Sequence, residues 1–191
     1  EDYSDFVEHP RYGRSPRFTD LDADRSQSLH HSGPTIPGTA VAADPALQSW
    51  SPVSIPFYFD MECVCRDCGR KFLFFAEEQK HWYETLGFSL WSLCERCVPC
   101  RKKCQGVEAK KRRYAELLHI ESPSAEQSLE LAECCLALME AGIFSPRHGD
   151  RVRMALNRVT AAAGEATGAK REALRERLKA AERQNDRERD A

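Results

Sequence analysis

Two C-x2-C pairs, Cys65/Cys68 and Cys97/Cys100, are separated by 28 intervening residues in this chain. A tetrahedral zinc ion takes four thiolates at about 2.3 Å, and one C-x2-C turn places two sulfurs on the same side of a tight loop. Two such turns facing each other complete the tetrahedron. Gly69, directly after Cys68, permits the positive φ that such a knuckle uses. The pairs bracket an aromatic-rich stretch, which favours one zinc ion per chain over ordinary buried cysteines. The residues alone leave other pairings open, because Cys63, Cys94 and Cys104 compete through Cys63-x-Cys65 and Cys94-x2-Cys97. Spare cysteines are passive or redox-active on this reading. Cys134 and Cys135 sit mid-helix and read as core packing. His81 is a ligand by type, but its place in a helical stretch assigns it surface or packing duty.

A second chemical feature lies just after the second pair. Between Arg101 and Arg113 stand seven Lys and Arg against one acid, Glu108. Arg101, Lys102, Lys103, Lys110, Lys111, Arg112 and Arg113 are therefore candidate contacts to a phosphate backbone, with Phe74, Phe75, Trp82 or Trp91 as stacking surfaces for bases. A solvated helix face explains the same run. The net charge of -2 shows that the chain as a whole is no polycation.

These residues need elements to position them. Phe57–Glu62 and Lys71–Phe75 read as two short aromatic strands joined by the turn Cys65-Arg66-Asp67-Cys68-Gly69. Ala76–Leu86 favours helix, closed by Gly87. Gln105–His119 is a helix candidate, and Ser122-Pro123 supplies a cap and a first-turn proline for another. That helix carries Leu129, Ala132, Leu136, Met139 and Ile143 on one stripe and Leu131, Cys135 and Leu138 on a second, so it is expected to be buried on two sides. Ser145-Pro146 breaks it, and Asp150 is a candidate cap for a further helix.

The expected organisation is an irregular or disordered region over 1–54, including the linker-like His30-His31-Ser32-Gly33-Pro34, and a zinc domain over 55–104. Beyond it lie a segment of about three helices over 105–164 and a charged helical or disordered tail over 165–191. Near the N-terminus, Pro10 to Phe18 interleaves arginines with aromatics, and Trp50 to Phe59 carries apolar bulk able to pack against the next part of the chain. Ten prolines, 30% charged and 41% hydrophobic residues fit a small ordered centre with polar flanks. No n-region with an apolar h-region opens the sequence, and no apolar run has membrane-spanning length. The nine cysteines are therefore expected to be reduced thiols in the cytoplasm.

The stretch from Cys65 to Lys103 resembles the probable zinc-ribbon domain family of bacterial proteins. The matching residues are Cys65-Arg66-Asp67-Cys68-Gly69, Phe72, Phe74, Glu78-Gln79, Tyr83, Gly87-Phe88 and Arg96-Cys97-Val98-Pro99-Cys100-Arg101. The resemblance implies that Cys65, Cys68, Cys97 and Cys100 are the ligands, leaving Cys63, Cys94 and Cys104 outside. It implies no activity. The expected fold is α+β: a four-cysteine zinc ribbon of two short strands and a helix, then a helical segment.

No nucleophile with an adjacent base, phosphate-cradling glycine loop or paired-carboxylate site accompanies the cysteines, so a non-enzymatic binding protein without a small-molecule substrate is expected. The expected partner is nucleic acid, through the basic run, or a protein, with the chain acting as an adaptor. A rubredoxin-like iron site or a thiol switch at Cys94 or Cys104 ranks below these; Arg101 stands where the second rubredoxin knuckle has glycine.

Overall fold

The computed structural model of the protein describes residues 2–25, 33–159 and 164–189. His30, His31 and Ser32 of the linker-like stretch lie outside the described residues, as do 160–163 and the last two residues of the charged tail. The chain divides into two units, Glu1–Lys102 and Lys103–Ala191.

The first unit holds β1 (Val41–Ala42), β2 (Phe57–Tyr58), β3 (Met61–Val64), β4 (Lys71–Phe74) and α1 (Ala76–Lys80), which continues as a π-helical turn over His81–Thr85. β3 and β4 pair antiparallel from Met61↔Phe74 to Val64↔Lys71, and β1 pairs antiparallel with β2. The first expected strand is interrupted at Asp60. Its buried carboxylate accepts the backbone N–H of Ala76 at the start of α1 (2.7 Å) and that of Arg17 (2.8 Å), serving two chain segments at once. Burial pushes the Asp60 carboxyl up to about 6, against the pull of those two N–H groups.

β4 buries Phe72, Leu73 and Phe74 in succession, so both of its faces are covered. Phe72 and Phe74 face a core with Tyr58, Met61 and Tyr83. Leu73 packs on the other side with Phe6 and Phe75. The cover comes from the N-terminal region, where Val7 bridges to Phe72 in parallel and Thr35 bridges to Met61. A two-stranded hairpin is marginal alone, and the irregular N-terminal segment supplies its missing edges. Pro10–Phe18 is held by Tyr12, which stacks on His9 and carries the Arg11 and Arg17 guanidiniums over its ring. Ile55, Tyr58 and Phe59 are buried as their apolar bulk suggests, but Trp50 is 91% exposed and Val53 65%.

α2 (Val98–Leu118) passes from the first unit into the second, which adds α3 (Ala125–Glu140), a 3-10 turn at Pro146–His148, α4 (Gly149–Asn157) and α5 (Glu165–Arg189). α2 begins seven residues before the expected Gln105. Pro99 is compatible with a first helical turn, whose N–H groups have no intrahelical acceptor. α3 is capped by Ser124, not Ser122: the Ser124 side chain accepts the Gln127 N–H (3.2 Å), and the Gln127 side chain accepts the Ser124 N–H (2.8 Å). Asp150 lies inside the first turn of α4 rather than capping it, because Pro146 has already started a 3-10 turn. α3 is buried on two sides, with Leu129, Leu131, Leu136 and Leu138 in one core with Val152 and Leu156 of α4 and Leu174 and Leu178 of α5. The charged tail is thus a packed helix where it is described, and the Glu172–Arg175 and Glu176–Lys179 pairs both form on it. Among the described residues no helix is long and apolar enough to cross a membrane.

Candidate metal centre

Cys65 and Cys68 sit on the turn between β3 and β4, while Cys97 immediately precedes α2 and Cys100 lies in its first turn. The second pair is therefore carried by a helix start rather than by a second knuckle. The first turn is shaped by two backbone bonds, Cys65 N–H to Arg70 O (3.0 Å) and Gly69 N–H to Cys65 O (2.8 Å). Gly69 adopts φ +69°, a left-handed conformation that side chains resist. Crossed ion pairs lace the two halves together: Arg66 reaches Glu95, and Arg96 reaches Asp67 at 2.8 Å.

The ligand atoms of these four cysteines all lie within 4.8 Å of one another, and Cys68 Sγ is 3.8 Å from Cys97 Sγ. Thiolates about 2.3 Å from a central tetrahedral ion would be separated by about 3.8 Å, so the spacing fits a metal. Among the described residues this is the one group of sulfur, imidazole and carboxylate atoms so placed. Residues 59–108 match the family described as "Probable treble clef domain". This stretch is a treble clef zinc-finger-like domain. It spans about a quarter of the 191-residue chain. No curated protein and no solved structure matches the chain.

The four thiols of the treble clef site do not ionise with equal ease. Burial opposes ionisation of Cys65, yet the backbone N–H groups of Cys68, Cys97 and Asp67 outweigh it and bring the thiol down to about 6. Cys100 is pushed up to about 12, first by the Cys97 side chain and then by burial and its other sulfur neighbours. Burial also raises Cys97, with Cys65 and Cys68 adding to it. The Cys65 thiolate forms readily while Cys97 and Cys100 resist; a divalent cation among the sulfurs would offset that resistance.

The competing cysteines lie elsewhere. Cys63 and Cys94 are buried in the aromatic core of the treble clef unit. Burial pushes the Cys63 thiol up to about 12 and raises Cys94 strongly as well. Cys104 is half-buried on α2, Cys134 and Cys135 are in the helical core, and His81 is exposed in the π-helical turn.

The seven basic residues after the site do not form one free surface. Arg101 turns inward, with its side chain 17% exposed. It pairs with Glu78 (2.5 Å) and places its guanidinium 4.9 Å above the Trp82 ring. Lys110 pairs with Glu133, Lys111 with Glu108, and Arg113 with Glu130 and Glu116. Lys102, Lys103 and Arg112 make no ion pair among the described residues.

Sequence reasoning missed the group around Glu78. Its second carboxylate oxygen lies 3.6 Å from His9 Nε2, and both side chains are nearly buried. His9 Nδ1 faces the backbone N–H groups of Arg11 and Tyr12, which leaves Nε2 toward Glu78. Nothing in the spacing of residues 9, 78 and 101 announces this contact. The only signal was the acid-rich start of the α1 segment.

Proposed function

We propose that the treble clef domain holds one structural zinc ion through Cys65, Cys68, Cys97 and Cys100, and that the chain is a non-enzymatic binding protein for a protein partner. The four-sulfur cluster carries this reading. Four thiolates fill a tetrahedral shell and leave no position for water or substrate, so zinc here cross-links chain segments and neutralises charge. Folding energy from such a metal matters most where the core is small, as in the paired two- and four-residue strands of the first unit.

The protein-partner reading draws support from the fate of the basic run. Four of its seven cations, Arg101, Lys110, Lys111 and Arg113, are engaged by carboxylates within the protein. Nucleic acid remains the second reading, on Lys102, Lys103 and Arg112 of α2.

Metal analysis of the purified chain tests the first claim. The expected result is one zinc per chain in a colourless protein, falling below stoichiometry in Cys65→Ser and Cys100→Ser and unchanged in Cys134→Ala. One zinc per chain in both serine variants sinks the ligand assignment, and a red tetrathiolate chromophore would make the metal iron. A salt-series anisotropy titration with single-stranded RNA and DNA tests the partner class. Three phosphate contacts would give a log-log slope of roughly -2 to -3, and tight binding with such a slope would turn the assignment to nucleic acid.

A further inference from the structure

We propose that the cleft between α2 and α4 in the second unit, floored by α3, docks an acidic helical segment of a protein partner through one large apolar anchor side chain. The inference deepens the protein-partner reading above and rests on it.

Tyr114 and Leu118, one helical turn apart on α2, form one wall. The other is a single stripe of α4 and its C-cap: Arg151, then Met154 and Ala155, then the C-cap Arg158, at i, i+3, i+4 and i+7. Leu131 and Cys135 of α3 lie between. The middle of the groove is therefore apolar and its two ends are cationic. Tyr114, Leu131, Cys135 and Ala155 belong to the buried core, and Met154, 60% exposed, and Leu118, 47%, form the outward-facing apolar rim over them.

Charge decides the occupant. Elsewhere in this unit Arg113, Arg153, Arg175 and Arg177 are each tied to a carboxylate, while Arg112, Arg147 and Arg171 pair with none among the described residues. Among the described residues Arg151 and Arg158 pair with none; Arg151 donates only to the neutral Tyr114 hydroxyl, at 2.9 Å. Two guanidiniums flanking apolar side chains present an unanswered demand for carboxylates, which bind Arg in strong, oriented pairs.

Size and spacing decide the form. The cleft measures about 190 Å³, below the 300–1,000 Å³ of sites that enclose a small-molecule ligand. It suits one Leu, Met or Phe side chain. Seven residues of α4 advance about 10.5 Å between the two arginines. A helix laid in the groove spans that distance with acids one turn before and one turn after its anchor.

The test is selection of helical peptides from a displayed library on the full-length, metal-loaded chain. Enriched peptides are expected to carry a Leu, Met or Phe anchor with Asp or Glu at three or four residues on each side. A fluorescein-labelled enriched peptide should lose at least about tenfold in affinity for Arg158→Glu, which leaves the Arg151–Tyr114 bond untouched, and for Met154→Asp. Far-UV circular dichroism confirms that both variants keep their helices. Exchanging the peptide's acids for Lys should restore binding to Arg151→Glu/Arg158→Glu.

Enriched peptides that bind Arg158→Glu and Met154→Asp as tightly as the wild type overturn the cleft assignment while leaving a protein-binding role intact. No enrichment, with RNA bound in the salt series, overturns both readings. A dimer that sediments as a monomer after Arg151→Glu/Arg158→Glu would make the occupant a second copy and overturn the partner.

Discussion

Replacing Arg101 with alanine should destabilise the first unit far more than removing any exposed charge on it. The Glu78 and Arg101 side chains are only 10% and 17% exposed, so the pair is largely shielded from water. Without the guanidinium, the buried carboxylate keeps only His9, whose Nε2 stands 3.6 Å away and whose burial favours the neutral ring. Removing one partner of a buried pair costs about 3–5 kcal/mol, and the lost packing over Trp82 falls within that figure. All three tryptophans lie in the first unit, so urea unfolding followed by tryptophan fluorescence reads this unit alone. With a slope of about 2 kcal/mol per M, the midpoint should fall by about 1.5–2.5 M. Glu8→Ala is the control: its pair with Arg14 has side chains 65% and 41% exposed, and such pairs contribute less than about 1 kcal/mol. The double variant Glu78→Gln/Arg101→Met, which removes both charges, should recover most of the loss. An Arg101→Ala midpoint within about 0.5 M of wild type, at unchanged metal content, would refute the reasoning and return Arg101 to the surface.

Two further outcomes stem from burial. Alkylation of the metal-loaded protein at pH 8, read by peptide mass spectrometry, should label Cys104 first and spare Cys63 and Cys94. Burial holds their thiols far above that pH, Cys63 at about 12. The thiolate is the reactive form, so labelling of Cys94 as fast as Cys104 would revive the thiol switch there. Leu178→Ala, at a site 3% exposed in the helical core, should cost about 2–5 kcal/mol. The helical signal of the second unit should then melt at least about 10 °C lower; a shift under about 3 °C would mean that α5 is a solvated tail.

The cysteine spacing led to the metal site because C-x2-C is a local geometry, settled within one turn of chain. It did not separate Cys65 from Cys63. The difference lies in the period of a strand: Cys63 points inward with Met61 on β3, while Cys65 lies just past the strand on the knuckle. The start of α2 was hidden because Val98 to Lys103 carries no apolar stripe. The packing of the N-terminal region was equally invisible. It attaches through single residues, Phe6, Val7 and Tyr12, and single insertions leave no period to detect. The stripes of α3, by contrast, were plain because a helix buried on two sides repeats its apolar residues at every turn.

The Arg101 contact ties the four-cysteine site to the rest of the first unit. Cys100 and Arg101 are adjacent in the first turn of α2, so the position of one sets the direction of the other. Arg101 holds Glu78 on α1, and Glu78 takes His9 from the N-terminal segment. His9 in turn stacks on Tyr12 and meets the edge of Phe75. A line of direct contacts therefore runs from a metal-site cysteine to the segment that covers the outer face of β4. A hairpin of two four-residue strands gains little from its own hydrogen bonds. Its stability depends on that cover, which one buried salt bridge orients. The residue after the second cysteine pair is thus part of the structural machinery of the treble clef, and the basic run proper begins at Lys102.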